Sequence, residues 1–277
     1  MTSTYQTTAA PLGAPSAAPL GVGSAAPLGV GSAAPLGLES AAPLAGTFDH
    51  VDHWVFDLDN TLYPARCNLF AQVDVRITDY IAQALGMERE AARIKQKDYY
   101  RLHGTSLRGM MIDHGMDPAA FLAYVHDIDV TPVAPSPLLA ASLKALPGRK
   151  VIFTNGSVRH AQNVLERLGV ADHFDGIFDI VAADYVPKPD PAPYATMIRR
   201  FGINPTRAAM VEDLHRNLLP AAGAGMTTVW VRTDSEFSRP DLKVGEVAPQ
   251  PVHPGDHVHH VIEDVETWLA DLTARLR

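Results

Sequence analysis

From about residue 50 onward, short runs of apolar residues alternate with longer stretches whose apolar positions recur every three or four residues. The short runs predict buried strands over residues 51–56, 150–154, 178–182, 208–211 and 227–231, with a final edge strand over 257–262. The longer stretches predict amphipathic helices over 158–168, 191–201, 214–224 and 265–276. Between the first two strands the pattern is helical throughout, over 66–85, 88–103, 105–115 and 117–126. Gly86, Gly104 and Gly115 read as stops there, and Asp117-Pro118 as a cap and first helical position. Pro132, Pro135 and Pro137 read as a linker, and residues 233–256, rich in Pro, Gly and charge, as a long surface loop. Strands alternating with helices predict an α/β fold, a parallel sheet covered by helices on both faces. The helical block reads as a cap inserted over the edge of that sheet. The expected organisation is a tail over 1–47, a core over 48–64 and 133–277, and a cap over 65–132.

Composition narrows the picture. An apolar content of 47% over 277 residues suits a globular chain with a real core. A formal charge of −8 argues against a nucleic-acid binder and against an anionic membrane surface. No stretch approaches 18 consecutive apolar residues, so no membrane span is expected. The single Cys67 excludes an intramolecular disulfide and fits a reducing, cytoplasmic setting. In the tail, Ser-Ala-Ala-Pro-Leu recurs at residues 16, 24, 32 and 40. Its prolines forbid a continuous helix and its small side chains bury little, so disorder is expected. A misassigned start codon is an alternative account of the tail.

Four groups of residues at the predicted strand ends carry chemistry. Asp57 and Asp59 sit two apart after the first strand, with Thr61 two further on. In extended chain such residues point the same way, and close carboxylates resist ionising together. A turn is the bland reading of the same residues. Thr154-Asn155-Gly156 closes the second strand and offers a hydroxyl and backbone N–H groups suited to a phosphate oxygen, although on its own it reads as an ordinary Asn-Gly turn. Lys188 lies in Pro187-Lys188-Pro189-Asp190-Pro191, where prolines restrain the backbone around a cation. Glu212-Asp213 ends the fourth strand, with Asn217 on the next helix, and offers hard oxygens of the kind Mg²⁺ prefers. His253, His257, His259 and His260 are better read as edge-strand alternation than as a metal site.

The order Asp-x-Asp-x-Thr, Thr-Asn, Lys, Glu-Asp resembles the haloacid dehalogenase superfamily of phosphatases, over roughly residues 50–232. Within it, F-D-L-D-N-T-L-Y-P, Y-Y-R-L-H-G-T-S-L-R-G-M and F-T-N-G look like the pyrimidine 5′-nucleotidase family. The resemblance implies a Rossmann-like three-layer α/β/α sandwich with a helical cap, and Mg²⁺-dependent hydrolysis of a phosphate monoester through an aspartyl-phosphate. It makes Asp57 the nucleophile and a metal ligand. It makes Asp59 the protonated general acid/base, with its carbonyl on the metal. Thr154, Asn155 and Lys188 would hold the phosphoryl group, and Asp213, with Glu212 in or near the shell, the metal. Asp59 also separates phosphate transfer from dehalogenation, because a halide leaves without a proton. The implied substrate is a pyrimidine nucleoside monophosphate such as UMP or CMP, met in the cap by Tyr100, His103, Thr105 and Arg108. The alternatives are another small ester, phosphoglycolate or a sugar phosphate, and a catalytically silent phosphate-binding or scaffold protein.

Overall fold

The computed structural model describes residues 48–233 and 254–276; the repeat tail, residues 234–253 and His253 with them lie outside the described residues. Strand β1 (His53–Phe56) leads into four helices, α1 (Leu69–Leu85), α2 (Arg89–His103), α3 (Ser106–His114) and α4 (Pro118–Val125). Then come α5 (Pro137–Ala145), β2 (Arg149–Phe153), α6 (Val158–Leu168), β3 (Gly176–Phe178) and α7 (Pro191–Phe201). The chain closes with β4 (Ala208–Glu212), α8 (His215–Gly223), β5 (Thr227–Val231), β6 (His260–Ile262) and α9 (Val265–Arg275).

The six strands form one parallel sheet in the order β3-β2-β1-β4-β5-β6. Phe56 lies opposite Ile152 on one side and Val211 on the other. Alternate strand residues face opposite ways, and both sets are apolar because both faces are covered. Trp54, Phe56, Ile152, Val211 and Val229 pack with residues of α5, α6 and α9. Val55, Val151, Phe153, Met210 and Trp230 pack with residues of α7 and α8. The result is the α/β/α sandwich expected from the alternation. Helices α1–α4 build two apolar clusters of their own, and Ile180 joins one of them from the core.

Four elements differ from the expectation. The prolines at 132–137 do not form a linker throughout, because Pro137 begins α5 and the Ser136 hydroxyl accepts from the Leu139 N–H. The third strand ends at Phe178 instead of running to 182. Its apolar continuation turns away, with Asp184 and Tyr185 in the left-handed region, and Ile180 is buried against α1 and α4 residues. The first strand begins at His53, since Val51 closes a turn onto the Phe48 carbonyl. The final strand lies at the sheet's edge as expected but is only His260–Ile262, in place of 257–262. His257 Nε2 donates to the His215 carbonyl, and His259 Nδ1 accepts from the Thr228 N–H. Among the described residues no helix is long and apolar enough to cross a membrane.

Candidate active site

The C-terminal ends of the central strands β1, β2 and β4 lie side by side, which is where open α/β sheets bind ligands. Asp57 continues β1, its N–H bonded to the Val211 carbonyl at 2.9 Å. Thr154 follows β2, its N–H bonded to the Phe178 carbonyl at 3.0 Å. Glu212 ends β4 and Asp213 follows it. The sheet register thus sets three motifs, far apart in sequence, at one edge. Lys188 enters from the segment between β3 and α7. The Asn155 amide clasps its backbone, accepting from the Lys188 N–H at 2.9 Å and donating to the Lys188 carbonyl at 3.4 Å.

Lys188 is 2% exposed, and its ammonium donates to Asp57 Oδ1 at 2.7 Å, Glu212 Oε2 at 2.9 Å and the Phe153 carbonyl at 2.8 Å. The Thr61 hydroxyl donates to the other Asp57 oxygen at 2.9 Å. Asn217 donates to Glu212 Oε1, so both oxygens of Glu212 face donors. Ligand oxygens of Asp57, Glu212 and Asp213 all lie within 4.8 Å of one another, and all three residues are buried. Were all three carboxylates ionised, one ammonium would leave two negative charges uncompensated, and burial opposes that state. Burial pushes the Asp57 and Asp213 carboxyls above their ordinary range, Asp213 far above it, against the pull of Lys188. Burial, together with Asp57, raises Glu212 to about 7. Burial alone would lower Lys188, yet Asp57 and Glu212 more than offset that and keep it firmly charged. A cluster of buried hard oxygens whose joint ionisation needs a further positive charge suits a divalent cation such as Mg²⁺.

Asp59 has different surroundings. His160 Nε2 donates to its Oδ1 at 2.8 Å, and the Tyr63 hydroxyl donates to the same oxygen at 2.6 Å. Burial would raise its carboxyl, but the charge and hydrogen bond of His160 and the bond from Tyr63 hold it at about 2. The expectation that its neighbours keep Asp59 protonated is therefore corrected for the free protein. Those neighbours are donors, and donors stabilise a carboxylate. His126, at the end of α4, stacks on His160 with ring centres 4.6 Å apart.

These groups floor a cleft that opens to solvent. The described lining includes Asp57, Asp59, Thr154, Asn155, Lys188, Glu212 and Asp213. Thr154 is buried, and its hydroxyl accepts from the Gly156 N–H at 2.9 Å. The upper walls come from α1–α4 and are mostly apolar, with Val73, Ile77, Leu107 and Phe121 among them. Of the four cap residues singled out in the sequence, Tyr100 and Thr105 line the cleft; His103 and Arg108 do not. His103 instead faces Asp113 at 3.9 Å, and Thr105 also caps α3 by accepting from the Arg108 N–H. Sequence reasoning missed His160, Tyr63 and His126, together with Gln96 and Asp74 in the cap wall. The available signal for His160 was a lone histidine on the apolar face of a strongly amphipathic helix.

A model of the haloacid dehalogenase-like hydrolases matches residues 51–225, more than half of the chain. The chain belongs to this family. It is 26% identical over 227 residues to a phosphoglycolate phosphatase of Neisseria gonorrhoeae, covering 73% of this chain and 92% of that protein. It is 27% identical over 189 residues to "Phosphate metabolism protein 8" of Saccharomyces cerevisiae, covering 62% of this chain and 58% of the yeast protein's length. Among solved structures, a HAD phosphatase from Thermococcus onnurineus aligns over 82% of this chain and 98% of its own, with 20% identity and a TM-score of 0.51, a likeness of fold.

Proposed function

We propose that this hydrolase splits small phosphate monoesters through a phosphoryl group carried transiently on Asp57. The observation that carries the reading is Lys188, buried and bonded to Asp57, with a second acid, Asp59, lining the same cleft. In this reading Asp57, Asp213 and the Asp59 carbonyl would hold Mg²⁺, and Glu212 orients Lys188. When bound, the ion supplies positive charge that offsets the phosphate oxygens.

The protein groups do the rest. Lys188, the Thr154 hydroxyl and the Asn155 backbone N–H receive the phosphoryl oxygens. Lys188 and Thr61 fix the Asp57 carboxylate in one orientation toward the ester. An Asp57 oxygen bonds to phosphorus as the bond to the leaving oxygen breaks. The incoming phosphate places negative charge beside Asp59, which raises its affinity for a proton. Asp59 passes that proton to the leaving alkoxide, then takes one from the water that hydrolyses the aspartyl-phosphate. General acid/base help of this kind is worth roughly 10²–10⁴-fold. Residues 65–132 act as a cap that closes over the ester and excludes water.

For the substrate, the name of the Neisseria relative favours phosphoglycolate. The pyrimidine nucleotide reading rests on the cap motif, two of whose four residues, Tyr100 and Thr105, line the cleft. A phosphate-release screen with Mg²⁺ over UMP, CMP, phosphoglycolate and sugar phosphates decides between them. The account expects release from at least one small ester, abolished by EDTA. Release from none, at millimolar substrate and Mg²⁺, contradicts it.

A further inference from the structure

Helix α6 shows a strong apolar stripe, with Ala161, Val164, Leu165 and Leu168 buried in the core. His160 occupies the same buried side at 1% exposure. An apolar residue there would only need to fill space. A buried imidazole must find partners or lose its hydration without return. His160 finds one, Asp59 Oδ1 at 2.8 Å, while its Nδ1 has no hydrogen-bond partner. The surroundings are shaped to admit the ring. A Cβ on Gly156 would come within 3.2 Å of His160 Cδ2, and the His126 ring lies nearly parallel, at 12°, against the other ring. Ser157, which caps α6 through the His160 N–H, is also 3.0 Å from His126 Nδ1. The cap's last helix, the phosphate turn and the start of α6 thus converge on one hydrogen bond.

We propose that His160 is the positioning residue for Asp59: with Tyr63, it holds the acid's carboxyl in the rotamer from which the leaving oxygen is protonated. The inference rests on the phosphatase reading and extends it. The Nε2–H and the Tyr63 hydroxyl both grip Oδ1, which leaves Oδ2 as the oxygen available to the ester. In the step concerned, the Asp57–phosphorus bond forms, the phosphorus–oxygen bond to the leaving group breaks, and the Asp59 proton moves to that oxygen. A leaving group that departs stably as an anion does not need this proton; an alkoxide does.

The test compares kcat/KM on two Mg²⁺-dependent reactions, p-nitrophenyl phosphate and glycerol phosphate, for the wild type and His160→Leu. Misplacing a general acid worth roughly 10²–10⁴-fold should cost the alkyl ester at least about tenfold more than the aryl ester. His160→Gln, which returns an N–H donor, should recover part of the alkyl activity. Tyr63→Phe, which removes the second grip without touching α6, should repeat the asymmetry even where His160→Leu fails to fold. Equal losses on both esters across these variants would mean a packing role and overturn the proposal. A wild type inactive on both esters and on the nucleotide and phosphoglycolate screen would overturn the phosphatase reading and the proposal with it, a result distinct from equal losses in an active enzyme.

Discussion

Lys188 is the residue on which the local electrostatics turn. It compensates buried carboxylates on two strands, Asp57 after β1 and Glu212 at the end of β4. Removing one partner of a buried ion pair costs about 3–5 kcal/mol, because the remaining charges lose both water and counter-ion. Lys188→Met should therefore lower stability by about that amount, measured by urea unfolding in EDTA at neutral pH. A change below about 1 kcal/mol would show that the acids are already neutral and that the charge count is wrong. His126 makes a second residue-scale prediction. Burial, and then the neighbouring His160, lower it from 6.5 to about 3. Between those values the unfolded chain binds a proton that the folded one refuses. Its contribution is complete above pH 6.5 and shrinks on acidification by up to about 1.4 kcal/mol per pH unit. His126→Phe should flatten the loss of stability from pH 6.5 to 4.5; an unchanged slope would assign that loss to other groups. The acids at strand ends were legible in the sequence because a strand end is a short-range feature. The Asp59–His160 pair was not, since those residues are 101 apart and meet only through tertiary packing.

The elements that were legible are those whose stops are local. Helix α7 begins at a proline capped by Asp190, and β5 follows a turn at 224–225, and both fall where the pattern placed them. The elements that were misjudged needed tertiary information. Pro137 ends a linker or starts a helix depending on whether Leu139 and Leu143 find a core, and here they do. The run after Phe178 has strand composition, yet Ile180 is taken up by the cap cluster. In the cap, motif membership did not tell which side chains reach the cleft. Tyr100 and Thr105 do, whereas His103 turns toward Asp113. Close helix contact there depends on Gly109 of α3, where an added Cβ would meet the Tyr99 ring of α2 at 2.4 Å. Gly109→Ala should thus destabilise the protein by about 1–3 kcal/mol through overpacking, read by thermal or urea denaturation. Because those helices wall the cleft, the same variant should raise KM. Wild-type stability would show that α2 and α3 separate freely.

At the scale of the whole molecule, the sheet gathers charge that it does not itself neutralise. A divalent cation that binds only the folded state stabilises by mass action, about 2.7 kcal/mol at 100 times its dissociation constant. Mg²⁺ should raise the melting temperature of the wild type, and Asp213→Asn should remove most of that shift; an equal shift in both would place the ion elsewhere. The tail should matter little to this core. The Ser-Ala-Ala-Pro-Leu repeat ends before Phe48, whose ring packs on Trp54 and Trp268. Deleting residues 1–45 should leave the melting temperature and phosphate release nearly unchanged. A fall of several degrees would show that the repeat packs on the core. The central claim is that Asp57 carries the phosphoryl group. It is tested most directly by acid-quenching the enzyme during turnover of a ³²P-labelled ester with Mg²⁺ and mapping the labelled peptide. Label is expected on the peptide containing Asp57, with neither label nor turnover in Asp57→Asn. Phosphate release that persists in Asp57→Asn, or label fixed on another residue, would contradict it.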